Sequence, residues 1–280
     1  MRRGGPGVAL LPVALVALVA LVVGCGGGSV APGTTEVTAA SSATGADPAP
    51  GTDEPITVFA AASLEAALTE LADIWAEDHG NEVRFSFGGS NGLVDQLVEG
   101  APADVLVTAD SATMDRAVGD GVAEGPRSLA TNSLVLALAP GNPGGFETAE
   151  EALTGERLVV CAPEVPCGRA TVALMELNGI TITPVSEEQS VTDVRGKVSS
   201  GEANSGIVYG TDATTAGLVA LDIPGASDVV TSSVTARVGR GAEAGASFIE
   251  FLHSEAARTV RLARAEAEAK QQAEQDLVAR

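Results

Sequence analysis

From Ile56 onward the chain keeps rewriting one unit: a short apolar run, a turn of small or hydroxyl residues, then apolar positions at helical spacing. Ile56–Ala60 reads as a strand. Ser63 stands where an N-cap belongs, and Leu64, Ala67, Leu68, Leu71, Ile74 and Trp75 mark one face of a helix. The unit returns with a strand over Glu82–Phe87, a turn at Gly88-Gly89-Ser90-Asn91-Gly92 and a helix face of Leu93, Val94, Leu97 and Val98. A further strand follows over Ala103–Thr108. Strands that run through tight turns into amphipathic helices build sheets with helices on their faces, so the fold class is α/β.

Ser133–Ala139 is another apolar strand, and Pro140-Gly141-Asn142-Pro143-Gly144-Gly145 after it breaks the pattern sharply enough to mark a passage into a second lobe. Beyond it, Arg157–Cys161 reads as a strand, Arg169–Asn178 as a helix stopped by Gly179, Val194–Ser200 as a helix stopped by Gly201, and Gly206–Tyr209 as a strand. Val229–Val238 can return the chain, and Phe248–Leu252 can begin a helix packed on the first lobe. The expectation is a first lobe of residues 56–137 and 237–260, a second of residues 138–236, and a helical tail over residues 261–280. Leu262, Leu277 and Val278 are the tail's only larger apolar residues, which suggests an exposed helix.

The beginning of the chain reads as an address. Met1-Arg2-Arg3 is basic, and Val8–Val23 is apolar apart from Pro12 and ends at Gly24-Cys25. This is the pattern of a secretory signal over residues 1–24, with Cys25 as the lipidated first residue of the mature chain. The alternative, a transmembrane anchor, needs ~20 apolar residues, and the run is shorter. Residues 25–55, built from Gly, Ala, Ser, Thr and Pro with a few acids, read as a flexible tether. An extracytoplasmic protein held to the membrane by a lipid on Cys25 is expected.

Charge narrows the function. The 16 Lys and Arg against 37 Asp and Glu leave a formal charge of -21, which repels a nucleic-acid backbone. At 3% aromatics, rings to stack on bases or sugar faces are scarce. A small anion is still within reach. The turns at Ser63, Ser90, Cys167-Gly168 and Asp193-Val194 lead into helices, whose first N–H groups lack acceptors and lie at the positive end of the helix dipole. Taken singly, each is an ordinary helix cap.

No enzyme is expected. His79 and His253 lie outside every motif and read as surface helix residues, and no Gly-x-Ser-x-Gly elbow occurs. With Cys25 assigned to the lipid, Cys161 and Cys167 in an exported chain favour a disulfide over two free thiols. Their spacing is poor for zinc.

The order of the motifs is more specific than any one of them. Ile56-Thr57-Val58-Phe59-Ala60-Ala61-Ala62-Ser63-Leu64 closely resembles the opening of the periplasmic molybdate-binding proteins. Phe87-Gly88-Gly89-Ser90, Gly100-Ala101-Pro102-Ala103-Asp104-Val105, Thr131-Asn132-Ser133-Leu134-Val135, Pro163-Glu164-Val165-Pro166-Cys167-Gly168, Asp193-Val194-Arg195-Gly196 and Gly206-Ile207-Val208-Tyr209-Gly210 resemble later segments of that family, in order. The resemblance implies a two-lobed type II periplasmic-binding-protein fold that closes on a tetrahedral oxyanion. It also implies delivery of molybdate or tungstate to the membrane permease and ATPase of an ABC importer, by a monomer without a cofactor.

The same resemblance implies the site. Ser63 and Ser90 match the two serines that hydrogen-bond the oxyanion from the first lobe, Cys167 and Val194 match positions giving backbone N–H groups from the second, and Tyr209 matches a donating phenol. Molybdenum would thus be held, as its oxyanion, through these five residues. Without the resemblance, Tyr209 reads as a strand residue with its hydroxyl on solvent or a carbonyl. The family usually ends in a short Gly-containing segment, from which this chain departs after Arg261.

Molybdate carries no proton at neutral pH, so a site that only donates suits it. A protonated phosphate would leave its hydrogen unpaired at ~1–3 kcal/mol. Sulfate is not rejected on this ground, and a binding protein of the same fold for sulfate, phosphate or an organic acid is the alternative. Arg169 and Arg195 in the second-lobe turns read as structural pairs with acids such as Asp193.

Overall fold

Each run that opens a unit is a strand, the first and third largely buried and the second only partly so. β1 (Ile56–Ala61) leads through a 3₁₀ turn into α1 (Glu65–His79), β2 (Val83–Gly88) into α2 (Ser90–Val98), and β3 (Val105–Thr108) into α3 (Ser111–Gly119). β4 (Ala123–Asn132) runs almost directly into β5 (Leu134–Leu138), followed by α4 (Ala149–Thr154), β6 (Leu158–Cys161), α5 (Pro166–Asn178), β7 (Ser186–Glu188) and α6 (Val191–Ser199). β8 (Ser205–Tyr209), α7 (Gly210–Thr215), β9 (Ala220–Asp222), β10 (Thr231–Val238), α8 (Glu243–Leu252) and α9 (Glu255–Val278) complete the order. The computed structural model describes residues 55–239 and 243–278. The expected signal, Cys25 and the tether before residue 55 lie outside the described residues.

The described strands form two five-stranded sheets, ordered β2-β1-β3-β10-β4 and β7-β6-β8-β5-β9. β1 is parallel to β2 and β3, and β6 to β7 and β8. β10 runs antiparallel to β3 and β4, and β5 to β8 and β9. Parallel neighbours require crossovers that put helices on both faces, which is why β3, β6 and β8 are buried throughout. Alternate residues of the first sheet feed different cores. Val58, Ala60, Val105 and Val107 pack with Leu71, Trp75 and Phe248, while Phe59, Leu106 and Val234 pack with Leu93, Val94 and Met114.

The lobe boundaries differ from expectation at both crossings. Leu134–Leu138 already pairs with Tyr209–Ser205 in the second sheet, so the chain first crosses between Asn132 and Leu134. The break at Pro140–Gly145 is instead a turn inside the second lobe, with Gly141, Asn142 and Gly145 at positive φ. Crossing needs no breaker, because an extended strand simply leaves one sheet and enters the other. On the return, Thr231 pairs with Asn132, so β10 belongs to the first lobe from its first residue and the second crossing falls between Asp222 and Thr231.

The tail also differs. α9 starts at Glu255 with Ala257 fully buried. Arg264 donates to Glu70 Oε2 on α1 at 3.3 Å and to Thr215 Oγ1 at the end of α7 at 3.4 Å, so the first turns of the tail lie across both lobes. His79, exposed as expected, stacks on Trp75 with ring centroids 3.6 Å apart.

His253 is half-buried and not a surface residue. Its Nε2 is 2.9 Å from Thr235 Oγ1, whose own hydrogen goes to Arg127 O, so Nε2 is the donor. Burial first, then the charges of Arg127 and Arg261, hold the His253 pKa below its ordinary value, with Glu250 opposing. The unfolded chain therefore takes up a proton near pH ~6.5 that the folded chain refuses, and stability falls as the medium is acidified through that region. Melting curves between about pH 7.5 and about pH 5.5 should show a shallower decline for His253→Gln than for the wild type. Identical slopes would exclude His253 as a source of acid sensitivity.

Candidate functional site

The parallel strands of both sheets deliver their carboxyl ends to one cleft, the usual place for a ligand in open α/β sheets. A cavity of about 20 Å³ lies there. Its first-lobe walls are Ala61, Ala62, Ser63, Gly88, Gly89, Ser90 and Ala109, and its second-lobe walls are Val165, Pro166, Cys167, Gln189, Ser190, Val191 and Tyr209. The volume exceeds the ~10–15 Å³ that one water requires. It is far below the ~300–1,000 Å³ of sites for drug-sized molecules. No lining residue carries a charge.

Five polar groups of this cavity are donors with a hydrogen to give. Ser63 lies in the 3₁₀ turn Ala62–Leu64 and caps nothing with its side chain, contrary to the sequence expectation. Its hydroxyl has no hydrogen-bond partner among the described residues. Ser90 is the first residue of α2, Gly89 being the N-cap, and its Oγ accepts the Ala109 N–H at 3.0 Å. That bond uses an oxygen lone pair and leaves the Ser90 hydrogen available. Cys167 follows Pro166, the first residue of α5, so its N–H is among those without an intrahelical acceptor.

Tyr209 ends β8, and its hydroxyl is buried without a hydrogen bond of normal geometry to any described residue. Burial is the main cause pushing the phenol's pKa well above its usual range. The nearby Thr231 hydroxyl acts in the opposite direction, the charges of Asp110 and Asp212 add to the rise, and Arg169 opposes it. The group is therefore a neutral donor at any physiological pH.

Val194 is a correction. α6 begins three residues earlier than its apolar spacing indicates, so Val194 is one turn inside, its N–H bonds Ser190 O at 3.4 Å, and its side chain is in the core. Val191 takes its place: it is the first helical residue, it lines the cavity, and its N–H precedes the first intrahelical bond. The signal was present in the sequence as Ser190-Val191-Thr192-Asp193. The Ser190 hydroxyl accepts the Asp193 N–H at 3.2 Å and donates to Asp193 Oδ2 at 2.7 Å, a cap whose hydrogen is thereby committed.

Two glycines permit the close approach. A Cβ on Gly89 of the first lobe would sit 2.4 Å from Gln189 O of the second, and one on Gly168 would meet Ala162 O at 1.7 Å. The turn carrying the Cys167 N–H is further fixed by a disulfide between Cys161 and Cys167. Cys167 therefore offers no thiol nucleophile, and neither His79 nor His253 lines the cavity. Arg169 and Arg195 pair with Asp110 and Asp212, not with Asp193. Among the described residues no cluster of His, Cys, Asp and Glu is arranged to hold a metal ion.

Comparison with known proteins agrees with this arrangement. The family model of bacterial extracellular solute-binding proteins matches residues 56–261. The molybdate-binding protein ModA of Mycobacterium tuberculosis is 46% identical over 161 residues, 56% of this chain and 62% of that protein. The chain thus spans about three fifths of the length of that relative. ModA of Haemophilus influenzae is 35% identical over 222 residues, covering 73% of this chain and 87% of that protein. The solved periplasmic molybdate-binding protein of Azotobacter vinelandii superposes with a TM-score of 0.65 at 21% identity, over 75% of this chain and 97% of that one. Iron-bound HitA from Pseudomonas aeruginosa also superposes, with a TM-score of 0.56 at 18% identity over 75% and 84% of the two chains, so the fold is shared across different ligands. The architecture is that of a periplasmic binding protein.

The disulfide closes a short loop, and opening it should cost about 2 kcal/mol by the chain-entropy relation. Cys161→Ala/Cys167→Ala should then melt roughly 4–8 °C lower than the oxidised wild type. An unchanged melting temperature would mean that the bridge does not hold the α5 entrance.

Proposed function

The chain belongs to the bacterial extracellular solute-binding proteins, and from that premise we propose that it captures molybdate or tungstate outside the cytoplasm and delivers it to the permease and ATPase of an ABC importer. The observation that carries this reading is the small, uncharged, donor-lined cavity between the lobes. Ser63 and Ser90 hydroxyls, the Tyr209 phenol and the Cys167 and Val191 N–H groups are the donors. The four oxygens of a deprotonated tetrahedral dianion accept hydrogen bonds and offer none in return.

Charge-assisted hydrogen bonds contribute ~1.5–3 kcal/mol each, so a handful supports tight binding after ordering costs. Donors are divided between the lobes, so only the closed form supplies them all, and the ligand favours closure by that differential affinity. The importer then reads occupancy as shape. In this proposal the carrier is a monomer that needs no cofactor and no enzymatic chemistry, anchored through lipid on Cys25. No helix among the described residues is long and apolar enough to cross a membrane.

Thermal melting with molybdate, tungstate, sulfate and phosphate tests the assignment. At a thousandfold excess over Kd a true ligand adds ~4 kcal/mol, a rise of roughly 10 °C. The first two anions should give it and the others little, whereas an equal response to sulfate would reassign the ligand. Calorimetry should find Ser63→Ala and Ser90→Ala each weaker by about 10–100-fold with ligand-free stability retained. Gly89→Ala should also lower affinity, because its methyl group would hold the lobes apart at Gln189 O, and undiminished binding would rule out closure at this contact.

A further inference from the structure

We propose that Arg169 is a positioning residue for anion capture, clasping the first lobe from the second and holding the cleft closed without touching the ligand. The inference rests on the cavity being an oxyanion site and goes beyond the donors that line it. Arg169 lies in α5 two residues after Cys167, outside the cavity wall. Its Nε and Nη2 converge on Asp110 Oδ2 at 2.9 and 2.6 Å, and Nη2 also reaches Thr113 Oγ1 at 2.7 Å. Both partners belong to the first lobe, at the start of α3.

The contact is built into a ring. Asp110 is already placed by its N-cap bond, Oδ1 accepting the Thr113 N–H at 3.0 Å. Thr113 Oγ1 passes its hydrogen to Asn91 Oδ1 at 3.1 Å, and Asn91 Nδ2 donates across the cleft to Glu164 O at 2.8 Å. Arg169 Nη1 donates to that same carbonyl. The chain therefore passes between the lobes twice, with each acceptor supplied. Asp110 also directly follows Ala109, whose N–H holds Ser90 Oγ, so the clasp abuts the cavity.

The clasp has two consequences, both favouring the anion. Formation of the clasp in the closed form raises the fraction of protein competent to hold the ligand, and apparent affinity scales with that fraction. The guanidinium also neutralises the Asp110 carboxylate, which would otherwise repel an incoming dianion; the side chain of Asp110 is only 12% exposed. Removing Arg169 loses the clasp and unmasks the negative charge. Removing the charge of Asp110 loses the clasp but leaves a cation beside the anion.

Calorimetry on the full chain should therefore find molybdate and tungstate weakened by the same factor, about tenfold, in Arg169→Met. Asp110→Asn, which keeps a cap oxygen, should lose less, and Arg169→Lys should fall between Arg169→Met and the wild type. Spin labels on cysteines placed at exposed Val118 and Leu177 in a Cys25→Ser background should report a more open ligand-free cleft for Arg169→Met, closing again with molybdate. Affinity of Arg169→Met within about twofold of wild type, or unchanged ligand-free distances, would overturn the clasp, and an Asp110→Asn loss as large as that of Arg169→Met would overturn the charge-masking contribution. If the wild type binds no oxyanion, the functional reading falls instead, and the label distances still decide whether Arg169 closes the lobes.

Discussion

Everything at the cleft depends on hydrogen-bond donors, backbone N–H groups and side-chain hydroxyls, that the protein leaves unused. An α-helix leaves its first turn of amides without acceptors. Here strands of two sheets feed such turns toward each other: the turn at Ala62–Leu64 and the start of α2 from one lobe, the starts of α5 and α6 from the other. The supporting structure keeps those donors free. Ser90 uses its oxygen on Ala109 and not its hydrogen, and the buried Tyr209 hydroxyl makes no hydrogen bond of normal geometry to a described residue. A chain of net charge -21 can in this way present a locally attractive surface to an anion without placing a cation in the cavity.

The same arrangement explains why so much of the remaining structure concerns how the lobes meet. β4 and β10 carry the chain out of the first sheet and back, paired along most of their length. Gly89 lets the first lobe approach the Gln189 carbonyl, Arg169 reaches across to Asp110, and α9 lies over α1 and α7 through Arg264. Each contact is polar or small, and polar contacts of this kind can be exchanged for water when the cleft opens.

Much of the fold was legible because β1, β3, β6 and β8 are short, largely apolar runs, and because Gly179 and Gly201 follow α5 and α6 at positive φ. β4 was not legible. Its residues are mostly exposed, it contains Pro126, and it has no apolar alternation, since it acts as a connecting edge strand and not as a core element. The start of α6 was misplaced because apolar spacing locates a helix face and not its first residue. The cap at Ser190 locates that residue, and it is the donor's position in the first turn that decides whether its N–H is free.

The sequence by itself determined the α/β class, the strand-turn-helix units, the strongly negative net charge and the order of motifs that marks the family. These follow from local spacing, charge and turn chemistry, which need no partner elsewhere in the chain. Only the tertiary structure decided where the chain crosses between lobes, that Val191 and not Val194 faces the cavity, that Arg169 answers Asp110 of the opposite lobe, and that the tail lies across both. Those outcomes depend on groups far apart in sequence meeting at distances of a few ångströms, and pairing of that kind is set by how two sheets pack and cannot be read from any one segment.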